Sequence, residues 1–327
     1  MQSISRRGFV ISAAAASAVF GLDKPLEFIT PTFAKAPSQP LLDKGFVKFM
    51  VGDVEVTQLY DGIWEKPQDE KFIKGVSLDE IKAALRADGQ TDAYVPIPFT
   101  VTVIKIKDNY VMFDSGTGNQ LLPTAGLIVK KDMLKVAGID PAKIKIIIVT
   151  HFHSDHIYGL MAKDTNEQIY PNAEIIMPSA EYKYWTDPGV FTTLAEPRHG
   201  LAKRIQATLP TWKNIKQIEK DTDALPDIRA VASYGHTPGH TSFLISSKGK
   251  QLMVLGDVSN IPALFVSNPD WHAPFDQDAD LAQINRHKMY DRIVADKPMI
   301  TGYHFGLPGA GTINKDGKGY AFVPMDV

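Results

Sequence analysis

His151-Phe152-His153-Ser154-Asp155-His156 forms an HxHxDH run directly after the apolar stretch 144–150. Residues 144–149 are nearly all β-branched, the composition of a core strand, so the run stands at a strand's mouth. Three imidazoles and a carboxylate within six residues are what a pair of borderline divalent cations requires of one loop. Side chains at i and i+2 of an extended stretch point the same way, so His151 and His153 can grip one ion. A turn after Ser154 lets Asp155 and His156 reach a second. Imidazole nitrogen with carboxylate oxygen suits zinc or a neighbouring first-row metal better than calcium or magnesium. The chain has no cysteine, so any metal must be held by His, Asp or Glu, and disulfides and thiol nucleophiles are excluded together.

Working outward, strands are expected at 46–50 and 54–60, joined by a hairpin at Val51-Gly52-Asp53, with Asp61-Gly62 as a turn. A helix is expected over 77–85, with Ser77 as its cap and Asp79 and Glu80 in the first turn, where negative charge suits the dipole. Pro96 and Pro98 mark a loop. Strands follow at 99–107 and 110–113, then a helix over about 126–137 that Gly138 and Pro141 terminate. Further strands are expected at 144–149, 174–177, 228–233, 241–246, 251–255 and 299–301, with helices near 179–185 and 280–295. This mixed order fits two sheets packed face to face and covered by helices, an α/β class.

The whole chain sets further bounds. At 327 residues and 44% hydrophobic content it can bury a sizeable core, and no short internal repeat divides it. With 35 basic against 37 acidic residues, there is no electrostatic case for nucleic acid or an anionic membrane surface, and neither partner is expected. Ser5-Arg6-Arg7-Gly8-Phe9-Val10 carries paired arginines before an Ala-rich, mildly apolar segment over 11–22 that is too short to span a bilayer comfortably. Residues 1–34 therefore read as a twin-arginine export signal cut after Ala34. Residues 35–327 form one domain without a stable membrane anchor, expected in the periplasm or secreted.

Three further pieces follow the run in order. Gly235-His236-Thr237-Pro238-Gly239-His240 comes after the apolar stretch 228–232, Gly256-Asp257 after 251–255, and Gly302-Tyr303-His304 after 299–301. Each candidate ligand lies just past a strand, where a rigid sheet can aim a loop.

The order HxHxDH, GHTPGH, GD and a late histidine resembles the metallo-β-lactamase superfamily over nearly all of 35–327. The resemblance implies a four-layer αββα sandwich with two divalent metals at one edge, zinc foremost, though manganese, cobalt or iron would suit the same ligands. By matching positions it implies His151, His153 and His236 around one metal, Asp155, His156 and His304 around the other, and Asp257 bridging both. Asp114, in Asp114-Ser115-Gly116, matches an aspartate that orients the metal loop. His240 is read as a hydrogen-bonding neighbour of the ligands.

The Trp185 region, the GHTPGHT run, the 47-residue interval from Asp257 to His304, and the tail His304-Phe305-Gly306-Leu307-Pro308-Gly309 are similar to the methyl parathion hydrolase branch. That branch contains exported organophosphate hydrolases and relatives that open lactones and cleave aryl esters. Leu121-Leu122 departs from it, standing where its phosphotriesterase has a phenylalanine. The implied activity is hydrolysis of a small ester-like substrate, a lactone or aryl ester, by hydroxide bridging the metals, with organophosphates as side substrates. Asp257 would orient the hydroxide and Asp155 return a proton to the leaving group. Leu121, Trp185, Phe265 and Trp271 are the expected pocket walls, and a homodimer is expected from the resemblance alone. The rival readings are a thioester hydrolase of glyoxalase II type, a β-lactamase, and a metal-binding protein on a retired hydrolase scaffold.

Overall fold

The computed structural model describes residues 39–327, so the expected export signal over 1–34 lies outside the described residues. Strands β1 (Phe46–Val51), β2 (Val54–Pro67), β3 (Tyr94–Ile106), β4 (Asn109–Phe113), β5 (Ile144–Ile148), β6 (Glu174–Pro178) and β7 (Ile215–Ile218) form one sheet in chain order. It is antiparallel from β1 to β4 and parallel from β4 to β7. The second sheet runs β14-β13-β12-β11-β10-β9-β8, from β8 (Asp223–Leu225), β9 (Ile228–Ala232), β10 (Thr241–Ser247), β11 (Lys250–Val254), β12 (Met299–Thr301), β13 (Ala310–Asp316) and β14 (Gly319–Pro324). Only β11 and β12 pair in parallel in this sheet.

Period-2 alternation divides each strand between two cores. Val56, Ile104, Val111, Phe113, Ile148 and Ile176 of the first sheet face Ile228, Phe243, Ile245, Leu252 and Val254 of the second, forming the inter-sheet layer. The opposite face of the first sheet, with Val101, Val103, Met112, Ile147 and Ile175, packs on the helices Leu78–Ala87, Ser179–Thr186 and His199–Thr208. The outer face of the second sheet, with Leu244, Met253 and Ile300, is covered by Met289, Tyr290 and Ile293 of the helix Ala279–Asp296. Helix, sheet, sheet, helix is thus the layer order. Among the described residues, no helix is long and apolar enough to cross a membrane.

Ser77 caps the helix Leu78–Ala87 through a full capping box with Glu80. Three local expectations are corrected. Pro96 and Pro98 lie inside β3, paired with Glu65 and Ile63 of β2. The backbone N–H of Thr100 bonds to Tyr303, on the edge away from β2. Pro96 and Pro98 share that side by alternation, so their missing N–H groups cost no ladder bond. The helix expected over 126–137 is two short helices, Leu127–Lys130 and Met133–Val136, because Asp132 takes a left-handed conformation between them. Asp61-Gly62 is a bulge within β2 rather than a turn: β2 continues past it to Pro67, and Asp61 is fully buried.

The chemistry-bearing loops leave the ends of β4, β5, β9, β11 and β12 at one edge of the sandwich. The Thr241 N–H bonds to the Thr150 carbonyl, tying the two sheets together beside the metal loop.

Candidate metal centre

His151 Nε2 and His236 Nε2 approach His153 Nδ1 at 3.0 and 2.8 Å. The other nitrogen of His151 and of His236 is already committed. Thr150 Oγ1 donates to Asp114 Oδ2 and so accepts from His151 Nδ1 at 3.0 Å, while His236 Nδ1 donates to Asp276 Oδ1 at 2.8 Å. Both rings therefore present bare Nε2 lone pairs to the same point as His153 Nδ1, and a single proton cannot satisfy all three. A cation can. His151, His153, His236 and Asp257 form one ligand-competent group, and Asp155, His156 and His304 a second.

The second group is oriented in the same way. His156 Nδ1 donates to Asp114 Oδ2 and His304 Nδ1 to the Pro98 carbonyl, each at 2.8 Å. Their Nε2 atoms stand 3.4 Å from Asp155 Oδ2. Asp257 lies between the groups, with Oδ1 3.4 Å from His156 Nε2 and Oδ2 at 3.2 and 3.1 Å from the Nε2 atoms of His236 and His304. His156 Nε2 and Asp257 Oδ1 are buried and have no hydrogen-bond partner. Orphaned atoms of this kind, with an all-nitrogen and carboxylate donor set, fit two divalent ions with Asp257 shared between them. Burial alone would lower the His156 pKa, but Asp257, Asp155 and Asp114 raise it well above normal, which marks a pocket that calls for positive charge. For Asp257, burial raises the pKa while His304, His156 and His236 depress it well below the usual carboxylate range.

The supporting groups are as ordered as the ligands. Asp114 adopts φ 60°, a left-handed conformation that aspartate tolerates, and also accepts the Thr150 N–H at 2.8 Å. His240 Nε2 accepts the Asp257 N–H at 2.8 Å while its Nδ1 bonds to Ser233. Its ring is therefore spent on holding the Asp257 loop, and burial pushes its pKa down to about 3. Gly256 must lack a side chain, because a Cβ there would sit 2.7 Å from His240 Nε2.

Three positioning residues carry no motif and escape sequence reasoning. Buried Glu181 accepts four bonds: Phe152 N–H and Trp185 Nε1–H on one oxygen, Thr237 Oγ1–H and Gly239 N–H on the other. It clamps the HxHxDH loop to the GHTPGH loop. Asp276 takes both His236 Nδ1 and the buried Arg286 guanidinium, each at 2.8 Å. Asp61 accepts from Thr117 and from the Ile128 N–H, bracing the loop that carries Leu121. The DG pair at Asp61-Gly62 was a turn signal, and only burial reveals its carboxylate as a strut.

A cavity of about 550 Å³ opens over the ligands, with Trp64, Ile97, Phe99, Leu121, Leu122 and Phe275 as apolar walls and His153, Asp155, Asp257 and His304 at its floor. Of the expected pocket residues, Leu121 lines it. Trp185, Phe265 and Trp271 do not. Trp185 is fully buried, its indole donating to Glu181 at 2.7 Å. Phe265 is fully buried in the helical layer, and Trp271 packs against that same core. The apolar drive that fills a core took these aromatics from the pocket.

The sequence profile of the metallo-beta-lactamase superfamily matches residues 97–289. The chain belongs to the metallo-beta-lactamase superfamily. Within this superfamily, it is 29% identical over 170 residues to an N-acyl homoserine lactonase of a Bacillus species, 52% of this chain and 59% of the relative. An N-acyl homoserine lactonase from Bacillus cereus is 30% identical over 169 residues, 51% of this chain and 58% of the relative. The matches thus span under two thirds of these relatives' length. Among solved structures, AidC, a dizinc quorum-quenching lactonase bound to its product, superposes with a TM-score of 0.80 at 24% identity, covering 86% of this chain and 98% of that one. The hydrolase AbOPH of the beta lactamase superfamily does so with 0.80 at 23%, and the same coverage. Both likenesses show that this metallo-beta-lactamase chain shares their fold.

Proposed function

We propose that the chain is a binuclear metal-dependent hydrolase that opens lactones and cleaves aryl esters. The observation that carries this reading is the Asp257 carboxylate set between two histidine groups at the floor of an apolar cavity. The name of the curated relatives, N-acyl homoserine lactonase, supports a lactone as substrate.

Two divalent ions held by these residues would supply Lewis acidity toward a carbonyl oxygen and an activated water near neutral pH. The protein's own part is positioning and proton handling. Asn260 Nδ2–H on Asp257 Oδ2 at 3.0 Å, with His240 on the Asp257 backbone, locks the shared carboxylate. Asp155 is the most exposed of the ligand carboxylates, at 18% of its side chain, and it lines the cavity, so it is placed to hold a proton for the leaving oxygen. Tyr303 OH donates to the Asp155 carbonyl at 2.6 Å and acts as a strut under that loop. The apolar walls exclude water and accept an acyl or aryl group. A lactone's leaving oxygen stays tethered and a phenolate leaves as a weak base, so neither needs a strong general acid.

The reading includes export: paired Arg6 and Arg7 before an Ala-rich segment support a twin-arginine route to the periplasm. Purified protein loaded with zinc should hydrolyse dihydrocoumarin or a long-chain homoserine lactone, and aryl acetates, and His153→Ala should abolish turnover. Absence of turnover on every lactone and aryl ester, with two ions bound per chain, would sink the proposal.

A further inference from the structure

Arg198 lines the substrate cavity alongside the metal-ligand residues His153, Asp155 and Asp257. Its Nη2 donates to the Phe275 carbonyl at 2.6 Å, which holds the guanidinium against the cavity wall. Its Nε and Nη1 donate to no atom of the described residues, and among the described residues no carboxylate lies within 4.0 Å. The fold's other largely enclosed arginines are matched differently. Arg286 is paired with Asp276 and three carbonyl groups, and Arg204 spends its donors on Asn166, Gln120 and Ala162. Burial lowers the Arg198 pKa by more than Tyr184, Asp276, Asp155 and Glu181, none of them in ion-pair contact, raise it, so its charge is only partly offset by the protein.

A second feature points the same way. The ten-residue helix His199–Thr208 starts at Arg198 without a side-chain cap on its first turn, and its residues Gly200 and Leu201 line the same cavity. The positive end of the helix dipole thus reinforces the guanidinium. A neutral amide carbonyl would satisfy one donor and leave the charge unbalanced. A carboxylate satisfies the fork of a guanidinium and neutralises it.

We propose that Arg198, with the start of the helix His199–Thr208, selects substrates that carry a carboxylate remote from the scissile ester or lactone carbonyl. This rests on the hydrolase reading above and narrows its substrate class: the carbonyl lies over Asp257 and the anionic end reaches Arg198 across the apolar walls.

The test compares matched anionic and neutral ligands on the zinc-loaded protein. The mono-4-nitrophenyl ester of adipic acid and 4-nitrophenyl hexanoate give a ratio of kcat/KM, and the adipic acid mono-anilide and hexananilide, which do not turn over, give a ratio of Kd by calorimetry. The adipate compounds are expected to be favoured by about tenfold or more in both ratios, the size of a charge-assisted contact. Arg198→Gln should collapse both preferences, and Arg198→Lys should restore part of the binding preference. A carboxylate taken by the metals instead would leave the preference intact in Arg198→Gln and overturn the proposal, as would equal binding of the two anilides to the wild type. Hydrolysis of both esters without charge preference defeats this inference and leaves the hydrolase reading standing. Arg198-dependent anilide binding without any ester turnover does the reverse.

Discussion

Glu181 and Phe152 are joined across two elements: Oε1 of the glutamate, on the helix Ser179–Thr186, accepts the Phe152 N–H at 2.8 Å in the middle of the HxHxDH run. Its other oxygen takes Thr237 and Gly239, so one buried carboxylate sets the distance between the loops that carry His151, His153 and His236. Glutamine cannot replace it. Its amide nitrogen would face the Gly239 N–H, donor against donor, inside a protein core. Glu181→Gln should lose about 1–3 kcal/mol of stability, the cost of a buried unsatisfied group, and weaken metal binding. Urea unfolding with a chelator-competition titration reads both, and an unchanged variant would remove the clamp from the account.

Asp276→Asn tests the support behind His236. The change leaves the Arg286 guanidinium, 1% exposed, without its anion and weakens the hold on His236 Nδ1. Breaking a buried pair on one side costs about 3–5 kcal/mol. Loss of the partner of a ligating imidazole costs about 10–100-fold in metal affinity. Competition with a fluorescent zinc chelator should show a drop confined to one of the two ions.

The centre ties stability to metal. Its ligand atoms come from loops after β5, β9, β11 and β12, so ions that bind only the folded arrangement stabilise it by mass action, about 4 kcal/mol for each site at a thousandfold excess over its Kd. Scanning calorimetry should show the melting temperature fall on chelation and return with zinc. His153→Ala should respond less than the wild type, and Asp257→Asn should bind fewer than two ions per chain.

Asp88 gives the stability a pH signature away from the centre. It is the C-cap of the helix Leu78–Ala87, and burial pushes its carboxyl up to about 6 from the ordinary 3.8. The folded chain therefore binds this proton more tightly than the unfolded chain, so ionisation costs stability in full above about pH 6. The cost shrinks as pH falls from about 6 and is gone below about 4. Negative charge at a helix C-terminus acts in the same direction. Asp88→Asn should gain about 1–2 kcal/mol at pH 8 and lose most of that advantage by pH 4. Equal gains at both pH values in denaturant unfolding would contradict the assignment.

Much of the site was legible because its ligands stand in short runs just past apolar strands. A β-branched stretch such as Ile144–Ile148 announces its burial, and the polar residues after it must then be at the sheet's edge. Strands β8, β13 and β14 were not legible, because β8 has only three residues and β13 carries Gly311, Lys315 and Asp316, so no apolar run announces β8 or β13 even though β8 pairs with β9 and β13 with β14 as local hairpins. Pro96 and Pro98 misled in the same way, since proline forbids a strand only where its N–H is needed, and which edge of β3 faces a partner is decided by Tyr303 and His304. Aromatic side chains were the weakest guide: Trp185 near the metal loop and Phe265 after Asp257 both serve the core, while the cavity is walled by Trp64 of β2 and by Phe275, later in the segment that carries Phe265.

The order of the ligands and the chemistry they permit were set by the amino-acid sequence alone, because imidazole and carboxylate spacing within a loop is a local property of the backbone. Which Nε2 or Nδ1 faces the centre, that Glu181, Asp276 and Asp61 serve as struts, and that Arg198 lines the cavity without a contacting carboxylate among the described residues were decided only in the tertiary structure. Each of those depends on groups tens to hundreds of residues apart meeting where water is excluded, and it is there that a hydrogen bond or an unpaired charge acquires its weight.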